Sequence, residues 1–358
     1  MSSCLNIHAH YACRHAGACC EQDWHIPVEA ELVRLVETRG IGSAARPRFL
    51  STAGGTTVVG RQPDGACVFF DRGGDRLCAI HVAAGADAMP DACRHFPRLV
   101  LHDDRGTFIA LSHFCPTAAW MLLDPRSAEV VEAPPSLHLR DLKGFEARSV
   151  LPPLLKPGLL TDLDGYGAWE SAALATLARR DLTHERALGI ITGATKRARG
   201  WRPNAGALKT WILESFDLHA GAPLEPLAPG LQKRRAAVLQ PMSGTRFPSY
   251  STDNEQAWAV GRTALAPFDR AVANYLAAHL FANRAAYEGE GLLTIVEWLR
   301  TCLAVLQREA ARLADRRRTF GPHEFVEAVR QSDLVLVHQA DTRAFGRRAV
   351  NTIEGAYS

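Results

Sequence analysis

The sequence predicts an α+β fold, in which a cysteine-rich region with short strands is followed by a mostly helical half. Three observations carry that prediction. Eight of the nine cysteines and eight of the 14 histidines fall within the first 115 residues. Short runs of β-branched and aromatic residues occupy the same part, whereas apolar residues at three- and four-residue steps dominate the remainder. The chain of 358 residues, 47% hydrophobic and 22% charged, is long and apolar enough to bury a core without disulfide staples.

Taken in order, Pro27 suits a first helical position, and Leu32, Leu35 and Val36 mark one face of a helix over 27–38. Strand-like runs follow at 56–59, 67–70, 99–102 and 107–111, separated by the turn formers Asp64-Gly65, Gly73-Gly74 and Asp104-Arg105-Gly106. Residues 117–123 read as a short helix. Prolines at Pro134-Pro135, Pro152-Pro153 and Pro157 divide the chain into a cysteine region (1–133), a proline-rich connection (134–160) and a helical domain (161–358). Helices are expected over 166–180, 184–197, 205–217, 257–286, 291–315 and 322–337. In the fifth of these, Leu292, Ile295, Val296, Leu299, Cys302, Leu303 and Leu306 form one stripe, so Cys302 reads as core. The apolar stretch at 291–306 is too short for a membrane span and carries Glu297 and Arg300, which marks it as a buried helix. Residues 221–254, with five prolines, read as a long connecting loop.

Charge and missing motifs narrow the function. With 41 basic and 38 acidic residues the net charge is only +3, too balanced for nucleic acid to be the expected partner. The clusters around Lys196-Arg197, Arg199-Gly200-Trp201-Arg202 and Lys233-Arg234-Arg235 read as solvated helix ends, although Trp201 offers a stacking surface. There is no phosphate-binding loop, and Gly165-Tyr166-Gly167 has no preceding strand to make it a dinucleotide fingerprint. The amino-terminal residues lack a basic segment followed by an apolar run, so a cytoplasmic chain with reduced thiols is expected.

The cysteines therefore carry the chemistry. They run Cys13-x5-Cys19-Cys20, then Cys67-x10-Cys78-x14-Cys93-x21-Cys115. Soft thiolates select zinc, copper(I) or iron–sulfur clusters, and four of them complete a tetrahedral zinc site or hold a cubane cluster. Seven exceeds four, which leaves either two centres or one centre with additional thiols around it. Because the Cβ atoms of adjacent residues diverge, a mononuclear site is expected to take only one of Cys19 and Cys20. None of the spacings is that of a paired zinc ribbon.

The segments Cys67-Val-Phe-Phe-Asp, Leu77-Cys78-Ala-Ile-His81, Pro90-Asp-Ala-Cys93-Arg94-His95-Phe96-Pro97-Arg98 and Leu111-Ser-His-Phe-Cys115-Pro116, with Cys19-Cys20 and Trp24-His-Ile26 in front, resemble the cysteine-cluster region of flagellin lysine N-methylases. That family lies within a broader group of zinc- or iron-chelating cysteine-cluster proteins. The resemblance covers residues 13–123, with fainter similarity at Asn274-Tyr275-Leu276 and His279-Leu280-Phe281. It implies an iron–sulfur cluster of the 4Fe-4S type, S-adenosylmethionine as methyl donor and a flagellin-like protein substrate. It also implies Cys67, Cys78, Cys93 and one of Cys19 or Cys20 as primary ligands, with Cys13 and Cys115 next. Ala16 departs from the group's Cys-x2-Cys-x2-Cys-Cys opening, and His15 lies beside the gap. Arg94 and Arg98 balance thiolate charge, hold a carboxylate or form ordinary surface ion pairs. The Cys-x3-Cys-x2-Cys motif of radical S-adenosylmethionine chemistry is absent. The competing reading is a metal carrier, sensor or electron-transfer module holding iron or zinc.

Overall fold

The computed structural model describes residues 1–21, 25–43, 45–71, 73, 76–137, 142–221, 255–288, 290–317, 319–338, 340 and 345. The front half holds short strands and the rear half is helical, as the α+β prediction requires.

The chain opens with an unexpected strand, β1 (Ser2–Leu5), too short and mixed in polarity to stand out in the sequence. Helix α1 (Ala30–Thr38) starts later than 27, because Pro27 forms an isolated bridge to Val58. Strands β2 (Phe49–Ser51) and β3 (Thr57–Val59) pair antiparallel. The expected strand at 67–70 is a turn instead. Cys67 bridges Arg61, Phe70 bridges Cys78, and the Phe70 N–H donates to the Cys67 carbonyl. Two helices follow, α2 (Ala79–Ala84) and α3 (Asp91–His95), both shorter than two helical turns and so without a readable apolar period.

Strands β4 (Arg98–Asp103) and β5 (Gly106–Leu111) form the expected hairpin, with the Asp103 carboxylate accepting from the Arg105 N–H in the turn and Gly106 at φ +144°. Helix α4 (Pro116–Met121) takes Pro116 in its first turn, where no N–H is needed. Four short strands follow: β6 (Val130–Glu132), β7 (Phe145–Glu146), β8 (Leu154–Lys156) and β9 (Leu159–Leu160). The proline-rich connection is thus partly built into sheets.

In the rear half, Asp162 caps α5 (Leu163–Ala178) and Thr183 caps α6 (His184–Ala198), each side chain accepting a first-turn N–H. Helix α7 (Leu208–Ala220) comes next; the loop expected at 221–254 lies, but for Gly221, outside the described residues. The single helix expected over 257–286 is broken into α8 (Glu255–Leu265), a 3-10 turn at Ala266–Phe268, α9 (Asp269–Leu280) and α10 (Ala285–Glu288). Pro267 has no N–H for the ladder, and Ala282 at φ +56° leaves the helical region. The last two elements are α11 (Leu292–Arg317) and α12 (Pro322–His338). No helix among the described residues is long and apolar enough to cross a membrane.

The main sheet has the order β6-β1-β5-β4-β7. β1 lies parallel to β5, with Cys4 opposite Ile109, and antiparallel to β6. The largest apolar cluster joins Trp169, Tyr275, Leu299 and Phe325 of the helices to Leu5, Ile7, Ala110 and Ala119 of the front half. A separate cluster, including Ile26, Val36, Phe69 and Ile80, packs the cysteine segment.

Candidate metal centre

Five of the seven candidate thiols converge. Cys19, Cys20, Cys67, Cys78 and Cys93 line one cavity of about 50 Å³, whose remaining wall is apolar and includes Ile26, Val59, Phe69 and Phe96. The five thiols arrive on four local devices. A turn closed by the Cys20 N–H on the Gly17 carbonyl presents Cys19 and Cys20, and Gly17 sits at φ +72° against the Phe70 ring, where a Cβ would collide. The Cys67 N–H donates to the Cys20 carbonyl at 2.7 Å, tying the second thiol-bearing turn to the first. Cys78 flanks the start of α2, and Cys93 lies within α3. Both adjacent cysteines face the cavity, with sulfurs 4.0 Å apart, where divergence of neighbouring Cβ atoms was the expectation.

Burial and mutual repulsion oppose ionisation of most of this donor set. Burial pushes the Cys67 thiol up to about 11 and raises Cys78, with backbone N–H groups of Phe69, Ile80 and His81 partly offsetting it. Cys93 is raised further, by burial and by the neighbouring Cys67, Cys19 and Cys78. Hydrogen bonding between Cys19 and Cys20 lowers the first and raises the second. A bound metal reverses both penalties, since it supplies the opposite charge and takes the place of water around the sulfur. Among the described residues no carboxylate or imidazole lines the cavity, and the thiols present fit a thiolate-held ion or cluster.

The other two candidates sit elsewhere. Cys13 is exposed, its sulfur 4.0 Å from His15 Nδ1, and His15 is itself exposed at φ +50°. Cys115 is buried beside the Tyr11 hydroxyl at 3.6 Å in a different apolar cluster. Arg94 pairs with Asp91 one turn earlier in α3, while Arg98 donates to the Leu137 carbonyl and covers the Tyr11 ring.

Residues 12–116 match the family model CxxCxxCC, described as "Putative zinc- or iron-chelating domain". All seven candidate cysteines lie within the matched residues. No curated protein and no solved structure matches the chain.

A second polar cluster went unread in the sequence. The Asp333 carboxylate, fully buried on α12, accepts from the His113 backbone N–H at 2.6 Å and the Tyr275 hydroxyl at 3.1 Å. His113 Nδ1 lies 3.2 Å from its second oxygen, and His279 Nε2 lies 2.8 Å from its first. On the far side, His113 Nε2 is 3.1 Å from Nε2 of the buried His8. The signal available was a carboxylate and two histidines interrupting apolar stretches, but they stand at positions 113, 279 and 333 and only the fold unites them. His279 also lines a larger cavity, about 460 Å³, between β4, the Lys143–Phe145 segment and helices α9, α11 and α12.

Proposed function

We propose that the chelating segment binds an iron–sulfur cluster, with Cys67, Cys78, Cys93 and one of Cys19 or Cys20 as ligands, in an S-adenosylmethionine-dependent protein-lysine N-methylase. The observation that carries the metal half of this reading is the convergence of five thiols on one apolar cavity. Cluster ligation uses four thiolates, and hydrogen bonds to sulfur of the kind around Cys67 and Cys78 tune such centres. The methylase half rests on the resemblance of the cysteine segments, and the 460 Å³ cavity supports it. That volume suits a nucleoside-sized ligand. Its lining offers Phe145 and Trp298 as aromatic faces. There the methyl group would pass from a sulfonium to a neutral lysine amine, leaving a thioether. The substrate in this reading is a flagellin-like protein.

Protein purified without oxygen is expected to be brown and to contain iron with acid-labile sulfide. Cys78→Ser or Cys93→Ser is expected to lose both the colour and stability of the segment, because metal binding and local folding are coupled. Cys302→Ser leaves the colour and the acid-labile sulfide unchanged. Calorimetry with S-adenosylmethionine then tests the methylase: saturable binding supports it, whereas a cluster without donor binding leaves a carrier or electron-transfer module. Colourless protein with stoichiometric zinc replaces the cluster by a structural zinc site.

A further inference from the structure

We infer that His113, His279 and Asp333 form a second metal site, for a divalent first-row ion such as zinc or iron(II), distinct from the cysteine centre. The three side chains come from the segment after β5, from α9 and from α12, and one ligand atom from each lies within 4.8 Å of the others. His279 Nε2 lies 2.8 Å from one carboxylate oxygen and His113 Nδ1 3.2 Å from the other, so Asp333 presents one oxygen towards each imidazole. Two imidazoles and one carboxylate are a donor set that zinc and iron(II) both accept.

The surroundings are those of a ligand set held in place by its neighbours. His113 bonds the ion through Nδ1, so its Nε2–H donates to His8 Nε2 at 3.1 Å and fixes the ring. His8 is fully buried, and its Nδ1 has no hydrogen-bond partner among the described residues, which makes sense for a side chain placed to orient another one. The Tyr275 hydroxyl and the His113 backbone N–H hold the carboxylate in the same way. Among the described residues, Asp333 has only the two histidines as ion-pair partners. A carboxylate at this depth requires a compensating positive charge, which a protonated His279 or a bound ion supplies. His279 also lines the large cavity, whereas His113 and Asp333 are buried away from it.

The test uses full-length protein stripped with a chelator and reloaded with Zn²⁺ alone, comparing wild type, Asp333→Asn, His279→Gln and the double variant Cys78→Ser/Cys93→Ser. Asp333→Asn and His279→Gln are each expected to bind about one equivalent less than wild type. X-ray absorption at the zinc edge should show that nitrogen and oxygen neighbours near 2.0 Å are lost while sulfur neighbours near 2.3 Å remain. The cysteine variant should show the reverse. Should a variant fail to fold by circular dichroism, the wild-type spectrum decides alone, since a shell of sulfur only overturns the site. Equal stoichiometry in wild type and folded Asp333→Asn also overturns it and leaves a hydrogen-bonded His–Asp array. Zinc bound by nitrogen and oxygen without sulfur would sink the cysteine centre and keep this one.

Discussion

His338 sits where an imidazole cannot easily carry charge. Burial lowers its pKa to about 4, and its Nε2 lies 2.9 Å from the Ser112 hydroxyl. In the unfolded chain the same ring protonates near 6.5. As pH falls from 6.5 towards 4, only the unfolded state takes up this proton, so stability is lost across that window and is complete above it. The loss amounts to at most about 3 kcal/mol, and His8, lowered by the same burial, adds in the same direction. Urea denaturation at pH 7 and pH 4.5 should show a smaller pH dependence for His338→Gln than for wild type; identical dependences refute the assignment. Legibility at this scale was uneven. Cysteine density marked the right segment, but which five thiols share a cavity depends on turns at residues 17–20 and 67–70 that no spacing rule encodes. The buried Asp333 and His279 gave no periodic signal at all, because a polar residue on an apolar helix face reads as a lapse in the pattern until its partners are known.

Among the elements, the helices were legible in kind and less so in extent. The apolar spacing stays in phase on either side of Pro267, which is why one helix over 257–286 was expected where the chain makes α8, a turn, α9 and α10. The proline was the visible warning, and its missing N–H prevailed over periodicity. Helices α2 and α3 escaped because five or six residues cannot display a period of 3.6, yet they deliver Cys78 and Cys93. Where α8 crosses α11 the backbones nearly touch: a Cβ at Gly261 would collide with the Gln307 carbonyl, a backbone atom that cannot rotate away. Gly261→Ala should therefore destabilise the protein by about 1–3 kcal/mol despite the better helix propensity of alanine. A melting temperature equal to or above that of wild type would show that the crossing relaxes freely.

For the molecule as a whole, the α+β division was readable from composition alone, whereas the sheet order was not. β1 lies inside the sheet between β6 and β5, and Leu5 and Ile7 reach the core shared with the helices. Its pairing with β5 spans about a hundred residues of sequence, a distance over which pattern carries no information about neighbours. Deleting residues 1–5 should expose strand edges on β5 and β6 and lower the melting temperature of the entire chain, helical half included. Persistence of a wild-type helical transition in that truncation would show the halves to be independent.

The same parallel pairing bears on how tightly the front segment can hold an ion. With Cys4 fixed opposite Ile109, every residue from Cys13 to Cys93 belongs to a loop whose two ends are already joined, not to a free tail. Joining the ends of roughly a hundred residues costs about 4 kcal/mol of chain entropy, and the sheet meets that cost before any ligand arrives. Chelation within residues 12–116 then works on a ring: the thiols search a restricted volume, and release of the ion returns the segment to a tethered ensemble instead of an open one.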